Sequence, residues 1–401
     1  MAPLTSPLQG LGLLLTGSRK RGVEMELLDW PRMAIVYVLA LLSSLLKPRW
    51  TAVRHFPILE VRLNRAMAPE PKRVSAWRSL VGWGKKERPP PSASTPLTPQ
   101  AADAATPLPA LFFMAQSFRL VMSLLTLPAF PTAIMGTVVN KRARYALLKS
   151  VLATEPVSFA ARLDPATRET VSGHCELDVH VEARTVGTSS AGSGTGDLVF
   201  AAVLTLVLMN PKPRKRDPAA APPPAAKAAA DPPSDAPPLA SWRFGDDVGR
   251  RYALIDGDIS PMHLTALTAR LNGFPSPVAN VHFLAARVER ELAAAVDEIG
   301  GTANGDPSAA AVAASATLLQ PLPAPYALEL EFKKPTLLPN SLTLAASTAA
   351  GVRAGKSGIL SQAASDPDGF GFGVADKKGR PLAIGLLRSG ARAVEGAMAR
   401  W

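Results

Sequence analysis

The chain has 401 residues, a length for two or three domains, and 47% of them are hydrophobic, enough for a sizeable core. Its 44 Lys+Arg against 32 Asp+Glu leave a net charge of +12, scattered over small clusters at 19–21, 141–144 and 212–216. No basic helix carries interleaved aromatics, so nucleic-acid binding is not expected, and the lone Cys175 excludes an intramolecular disulfide or a multi-cysteine metal site.

Residues 1–56 read as a targeting or membrane-associated segment. Within them "MAIVYVLALLSSLL" (33–46) is continuously apolar and flanked by Arg32 and Lys47. As a helix it would reach about 21 Å, short of a hydrocarbon core of about 30 Å. An interfacial helix, the core of a targeting signal and a helix docked on the fold all remain open. Ser18 beside the basic Arg19, Lys20 and Arg21 has the flavour of a mitochondrial or plastid transit peptide, which Glu24, Glu26 and Asp29 oppose. Localisation is left open between such an organelle and an intracellular membrane.

Three stretches read as linkers or insertions: 86–108, 300–316 and the Pro/Ala-rich 211–240, which cannot bury enough apolar surface to order itself. The last divides the chain into 57–210 and 241–401. Each half runs from helix to strands. In the first, "LFFMAQSFRLVMSLL" (111–125) has helical spacing, followed by strands near 134–139, 155–163, 175–183 and 198–208. Leu177, Val179 and Val181 alternate with Asp178, His180 and Glu182, which makes His180 a wet-face residue and Cys175 a small buried hydrophobe. In the second, a helix is expected over 278–299 and strands over 327–333, 341–347, 370–376 and 381–388, the last two joined by "DKKG" (376–379). A helix wrapped by an antiparallel sheet, made twice, is an α+β solution.

The polar turn in "YALIDGDISPMHLTALTARLNGF" (252–274) stands out against this Ala/Pro/Leu background, in a chain with 5 His. Gly257 permits a tight bend, Pro261 fixes the backbone, and Met262-His263 would open a helix running to Leu271 and ended by Gly273. Asp258 and His263 would then face one point, where a carboxylate and an imidazole can take one proton from a water and deliver another. The same letters also read as a capping turn followed by an incidental His.

The stretch 252–285 resembles the signature of the MaoC-like, R-specific (type 2) 2-enoyl-CoA hydratases, roughly Y-A-x-x-S-G-D-x-N-P-I-H, then A-x-x-x-G-F and P-I-A-H-G-M. Tyr252, Ala253, Gly257, Asp258, Pro261, His263, Ala269, Gly273, Phe274, Pro277 and Ala279 match. Weaker similarity to double-hotdog members extends from about residue 57 onward, through 74–83, 127–142 and 331–342. The resemblance implies a double hotdog, a monomer or a homodimer of such units, in which a lyase hydrates a 2-enoyl thioester or dehydrates the (R)-3-hydroxyacyl thioester. It implies no cofactor, since CoA or acyl carrier protein belongs to the substrate, and no metal. It makes Asp258 and His263 catalytic, supported by Gly257 and Ser260, and assigns the thioester oxygen to the Val281 backbone N–H. Lys333 and Lys334 would meet CoA phosphates or stay solvated, and His282 would pack on its helix.

The chain departs from the pattern at four positions. Ser260 stands for Asn and reaches less far. Asp256 stands for Ser, a second carboxylate expected to raise the pKa of Asp258 if close. Asn280-Val281 replaces His-Gly, and the Val side chain crowds the donor. These departures keep two other readings open: a non-catalytic hotdog that binds acyl thioesters or serves in assembly, and an acyl thioesterase on the same fold.

Overall fold

Strand pairing runs without a break from one half of the chain to the other. The structure, a computed structural model, describes residues 22–25, 38, 56–63, 66–83, 106–127, 129–130, 138–170, 173–186, 195–210, 238–303, 321–346 and 370–401. In the first half lie β1 (Gly22–Met25), β2 (Leu59–Leu63), α1 (Pro71–Val81), α2 (Ala110–Thr126), β3 (Val138–Leu147), β4 (Val157–Glu169), β5 (Cys175–Val186) and β6 (Thr195–Leu208). The second contributes β7 (Pro238–Phe244), α3 (Val248–Asp256), α4 (Pro261–Leu264), α5 (Ala266–Leu271), α6 (Val281–Ala303), β8 (Tyr326–Phe332), β9 (Asn340–Ala346), β10 (Phe370–Asp376), β11 (Pro381–Ser389) and α7 (Ala391–Met398).

The strands form one sheet ordered β1-β2-β4-β5-β6-β3-β8-β11-β10-β9-β7. Pairing is antiparallel except for β1 on β2. The two expected sheets are therefore fused at a seam, where β3 pairs β8 from Arg142 opposite Glu331 to Leu147 opposite Tyr326. The seam strand lies later than the expected 134–139, of which 134–137 are outside the described residues. Its charges hid it: Arg144 stands opposite Glu329, with Nε 3.9 Å from Oε2, and Glu329 also bonds Arg388 of β11.

Each half wraps a helix. In α2 all 17 residues are buried, because β2 through β6 cover one side while α6 and α3 cover the other. Its hydroxyls are satisfied within the helix: Ser117, Ser123 and Thr126 donate to the carbonyls of Met114, Arg119 and Ser123. The main apolar core spans both halves, from Trp77, Phe112 and Phe113 to Phe283 and Phe372, beside a small second cluster under α7. Burying each such ring stabilises the fold by about 1.5–3 kcal/mol.

α6 fastens the halves together. Pro109 gives α2 no side-chain cap, and the Glu289 carboxylate takes the Ala110 and Leu111 N–H groups at 2.8 and 3.2 Å. Tyr326 of β8 donates to the same carboxylate. On either side of Glu289 in the chain, Arg287 and Arg290 donate to the carbonyls of Val81 and Gly82 at 2.7 and 3.0 Å and close the C-terminus of α1.

Several expectations meet the structure directly. Cys175 is buried, and His180 lies half-buried with its Nε2 3.8 Å from Asp164. The hairpin at 376–379 forms with Gly379 at φ 73 and the Asp376 carboxylate accepting the Lys378 and Arg380 N–H groups. The proposed linker 211–240 extends too far: its last three residues already pair as β7. The remainder of that segment lies outside the described residues, as do 86–105, 304–316 and all of 33–46 except the helical Val38. No helix among the described residues is long and apolar enough to cross a membrane.

Candidate active site

The site begins where α3 stops. Gly257 takes φ 84 and its N–H closes the helix on the Ala253 carbonyl. A Cβ here would lie 2.7 Å from Cγ of Arg119, so the stem of that buried arginine and the left-handed backbone both require Gly. The expected single helix 262–271 is instead two. Thr265 is extended (φ −144, ψ 162), and the Thr265 and Thr268 hydroxyls exchange hydrogen bonds with each other's backbone N–H, a capping box that starts α5 afresh. The break leaves His263 on the one-turn α4, which lies against α3 at Gly249. A Cβ on Gly249 would fall 2.3 Å from the His263 carbonyl oxygen.

His263 and Asp258 do come together, with Nε2 3.4 Å from Oδ2. The other ring nitrogen, Nδ1, is 2.7 Å from the Val278 carbonyl. A carbonyl can only accept, so Nδ1 carries the proton and Nε2 is left facing Asp258 and the cavity. Burial alone would favour the neutral ring, but the Asp258 charge outweighs it and raises the His263 pKa above 6.5. Burial likewise opposes the Asp258 charge. It is outweighed by His263 and by Ser260, and the carboxyl falls to about 2. Ser260 does reach: its hydroxyl and its N–H donate to Asp258 Oδ1 at 2.5 and 3.1 Å.

The second carboxylate behaves opposite to expectation. Asp256 has no exposed surface, and burial together with the neighbouring Asp258 charge raises its own pKa well above the usual range. Asp258 is not raised, because the cationic partner and most donors are on its side. Asn280 joins the two carboxyls: its Nδ2 donates to Asp258 Oδ2 at 2.8 Å and to Asp256 Oδ2 at 3.2 Å. Its Oδ1 accepts the His282 N–H at 2.8 Å, which fixes the amide orientation and caps α6.

The pair opens onto a cavity of 610 Å³ whose walls come from both halves. Phe118, Val121, Met122 and Leu125 of α2 supply an apolar side, and Val281 lines the cavity at the N-terminus of α6. As the first residue of that helix, Val281 has an N–H that no intrahelical carbonyl can use. Lys333 and Lys334 also line the cavity and are exposed; Lys333 pairs with Glu331 at 3.0 Å. His282 packs as expected, its ring centroid 4.8 Å from that of Phe118 and its Nδ1 2.8 Å from the Tyr145 hydroxyl. Burial lowers its pKa to about 4, so the ring is neutral. Among the described residues no group of three His, Cys, Asp or Glu could hold a metal ion.

Two contributors escaped the sequence reading. Asn280 registered only as a departure, although a side-chain amide between two acids is a fitting donor. Arg119, from the opposite half, donates to the Ile255 carbonyl at 3.1 Å and covers Gly257. Its signal was present: it is the one charged residue in 110–126, and a charge in so apolar a helix needs a partner.

No family model matches the sequence, and no curated protein matches it significantly. Solved structures do. HtdX of Mycobacterium tuberculosis is 21% identical and superposes with a TM-score of 0.51, covering 83% of this chain and 99% of that one. A MaoC-like dehydratase from Phytophthora capsici is 10% identical with a TM-score of 0.50, covering 84% and 97%. At these identities the likeness is one of fold alone: the chain has the α+β double-hotdog architecture of these structures.

Proposed function

We propose that the protein is a hydro-lyase that adds water reversibly across the C2=C3 bond of a trans-2-enoyl thioester. The observation that carries this reading is the Asp258–His263 pair, 3.4 Å apart, on the wall of an apolar cavity beside a helix N-terminus. A water held between Nε2 and the Asp258 carboxylate loses one proton to Nε2 while its oxygen bonds C3. The π electrons move toward the carbonyl, and the resulting enolate oxygen rests on the Val281 N–H. Nε2 then returns the proton to C2, so the hydroxyl is on C3, the hydrogen on C2, and the enzyme is unchanged. Dehydration is the same path reversed.

The first half carries no such turn and supplies the acyl-facing wall through α2. The exposed Lys333 and Lys334 suit an anionic carrier, either CoA or an acyl carrier protein. The test is to incubate the purified protein with crotonyl-CoA and follow loss of the enoyl absorbance and release of thiol. Loss of absorbance without thiol supports hydration. Thiol release would make it a thioesterase, and binding without either change would make it a non-catalytic hotdog.

A further inference from the structure

The working pair is Asp258 and His263, yet the structure builds a second carboxyl behind it that touches no cavity space. Asp256 is absent from the cavity lining and has no exposed surface, so it cannot meet substrate. Its Oδ1 accepts the Asp258 N–H at 2.8 Å, and its Oδ2 is held by the same Asn280 nitrogen that holds Asp258. Two carboxyls within reach of one amide nitrogen repel each other's charge, and the one with no exposed surface is the one that keeps its proton. Asp258 has His263 opposite it, and the Ser260 hydroxyl and N–H as donors. Asp256 has one backbone N–H and the longer of the two Asn280 contacts.

We infer that Asp256 is a neutral positioning acid that, with the Asn280 amide, holds the Asp258 carboxylate against His263. This rests on the hydration reading for its consequence, but not for its charge state. The charged and titratable groups facing Asp256 are Asp258 on the turn, His263 on α4, Arg119 from α2 and Tyr252 on its own helix. Arg119 donates to the Ile255 carbonyl at 3.1 Å. The consequence concerns Nε2. A second negative charge at Asp256 would bind the His263 proton more tightly and remove the basic form that water activation needs. A proton on Asp256 prevents this while keeping a carboxyl that can anchor the turn.

The experiment follows the five histidines in selectively labelled protein by NMR, with His263→Ala assigning the His263 resonance. Its titration midpoint is compared between wild type, Asp256→Asn and Asp256→Ser, the last being the residue of the resembled pattern. A neutral Asp256 predicts midpoints unchanged to within about 0.3 pH unit. A charged one predicts a fall of about one unit or more in both variants, and that result would overturn the proposal. Two substitutions guard against one that fails to fold. For positioning, Asn280→Ala should lower kcat for crotonyl-CoA hydration about 10–100-fold with KM nearly unchanged. Asn280→Ser, which keeps one donor, should fall between; wild-type kcat in both would sink the positioning role. Were wild type itself inactive on every enoyl thioester, the hydration reading would fail, and the His263 midpoints would still decide the state of Asp256.

Discussion

Glu289 offers a test of how the two halves are fastened. The carboxyl has no exposed surface, and burial pushes its pKa from 4.5 to about 7, against the pull of three donors: Tyr326 O–H, Leu111 N–H and Ala110 N–H. Below pH 4.5 it is protonated whether the chain is folded or not, and it costs nothing. As pH rises from 4.5 to 7 the unfolded chain ionises while the folded one holds its proton, so stability is lost over this window and stays lost above it. At 1.36 kcal/mol per pH unit the loss is about 3 kcal/mol. Glu289→Gln cannot ionise. Its single acceptor oxygen leaves one α2 N–H unmet, a cost of about 1–3 kcal/mol that does not depend on pH. Urea unfolding of both proteins across this window should therefore show the Gln variant gaining about 3 kcal/mol relative to wild type as pH rises. A difference that stays flat would mean that the three donors keep Glu289 ionised in the fold, and the reasoning from burial would be refuted.

At the site, Asp258→Asn and His263→Ala should each reduce hydration about 10²–10⁴-fold, and the double variant should lose little more, because both groups act on one water. Since hydration needs unprotonated Nε2 and the His263 pKa is raised, kcat/KM should climb with pH through a midpoint above 6.5; a midpoint below it would contradict the ion pair. Leu125→Trp should leave crotonyl-CoA turnover nearly intact and cut kcat/KM for long acyl chains at least about tenfold, and equal loss on both would remove the acyl role of α2. Gly257→Ala should destabilise the fold by about 2 kcal/mol or more, read by thermal unfolding, because φ 84 disfavours a side chain and Arg119 already fills the space.

What could be read from the letters follows from how local each cause is. The helix 110–126, the strand pairs at 370–376 and 381–389 and the hairpin between them arise from periodicity and one turn, and they lie within a residue or two of expectation. The break at Thr265 was equally local but hidden, because a Thr-x-x-Thr box inside an apolar stretch looks like continued helix. The seam strand β3 was misplaced because its Arg residues find Glu partners on β8, nearly two hundred positions away. Asp258 and His263 were legible since one turn holds both. The inverted roles of Asp256 and Asp258 were not, because they depend on Asn280 and on which acid the fold buries more deeply.

The cavity's mixed parentage divides labour inside one polypeptide. On the hydration reading the acid–base pair sits on a turn of the second half, while α2 of the first contributes Phe118, Val121, Met122 and Leu125 to the apolar wall. A half relieved of its own acid and base is free to drift in the size of its side chains. On that reading, substitutions in α2 could change the acyl length the cavity accepts without touching the Asp258–His263 pair. The same arrangement forbids the halves from separating: each would expose to water the face that gives the other its meaning.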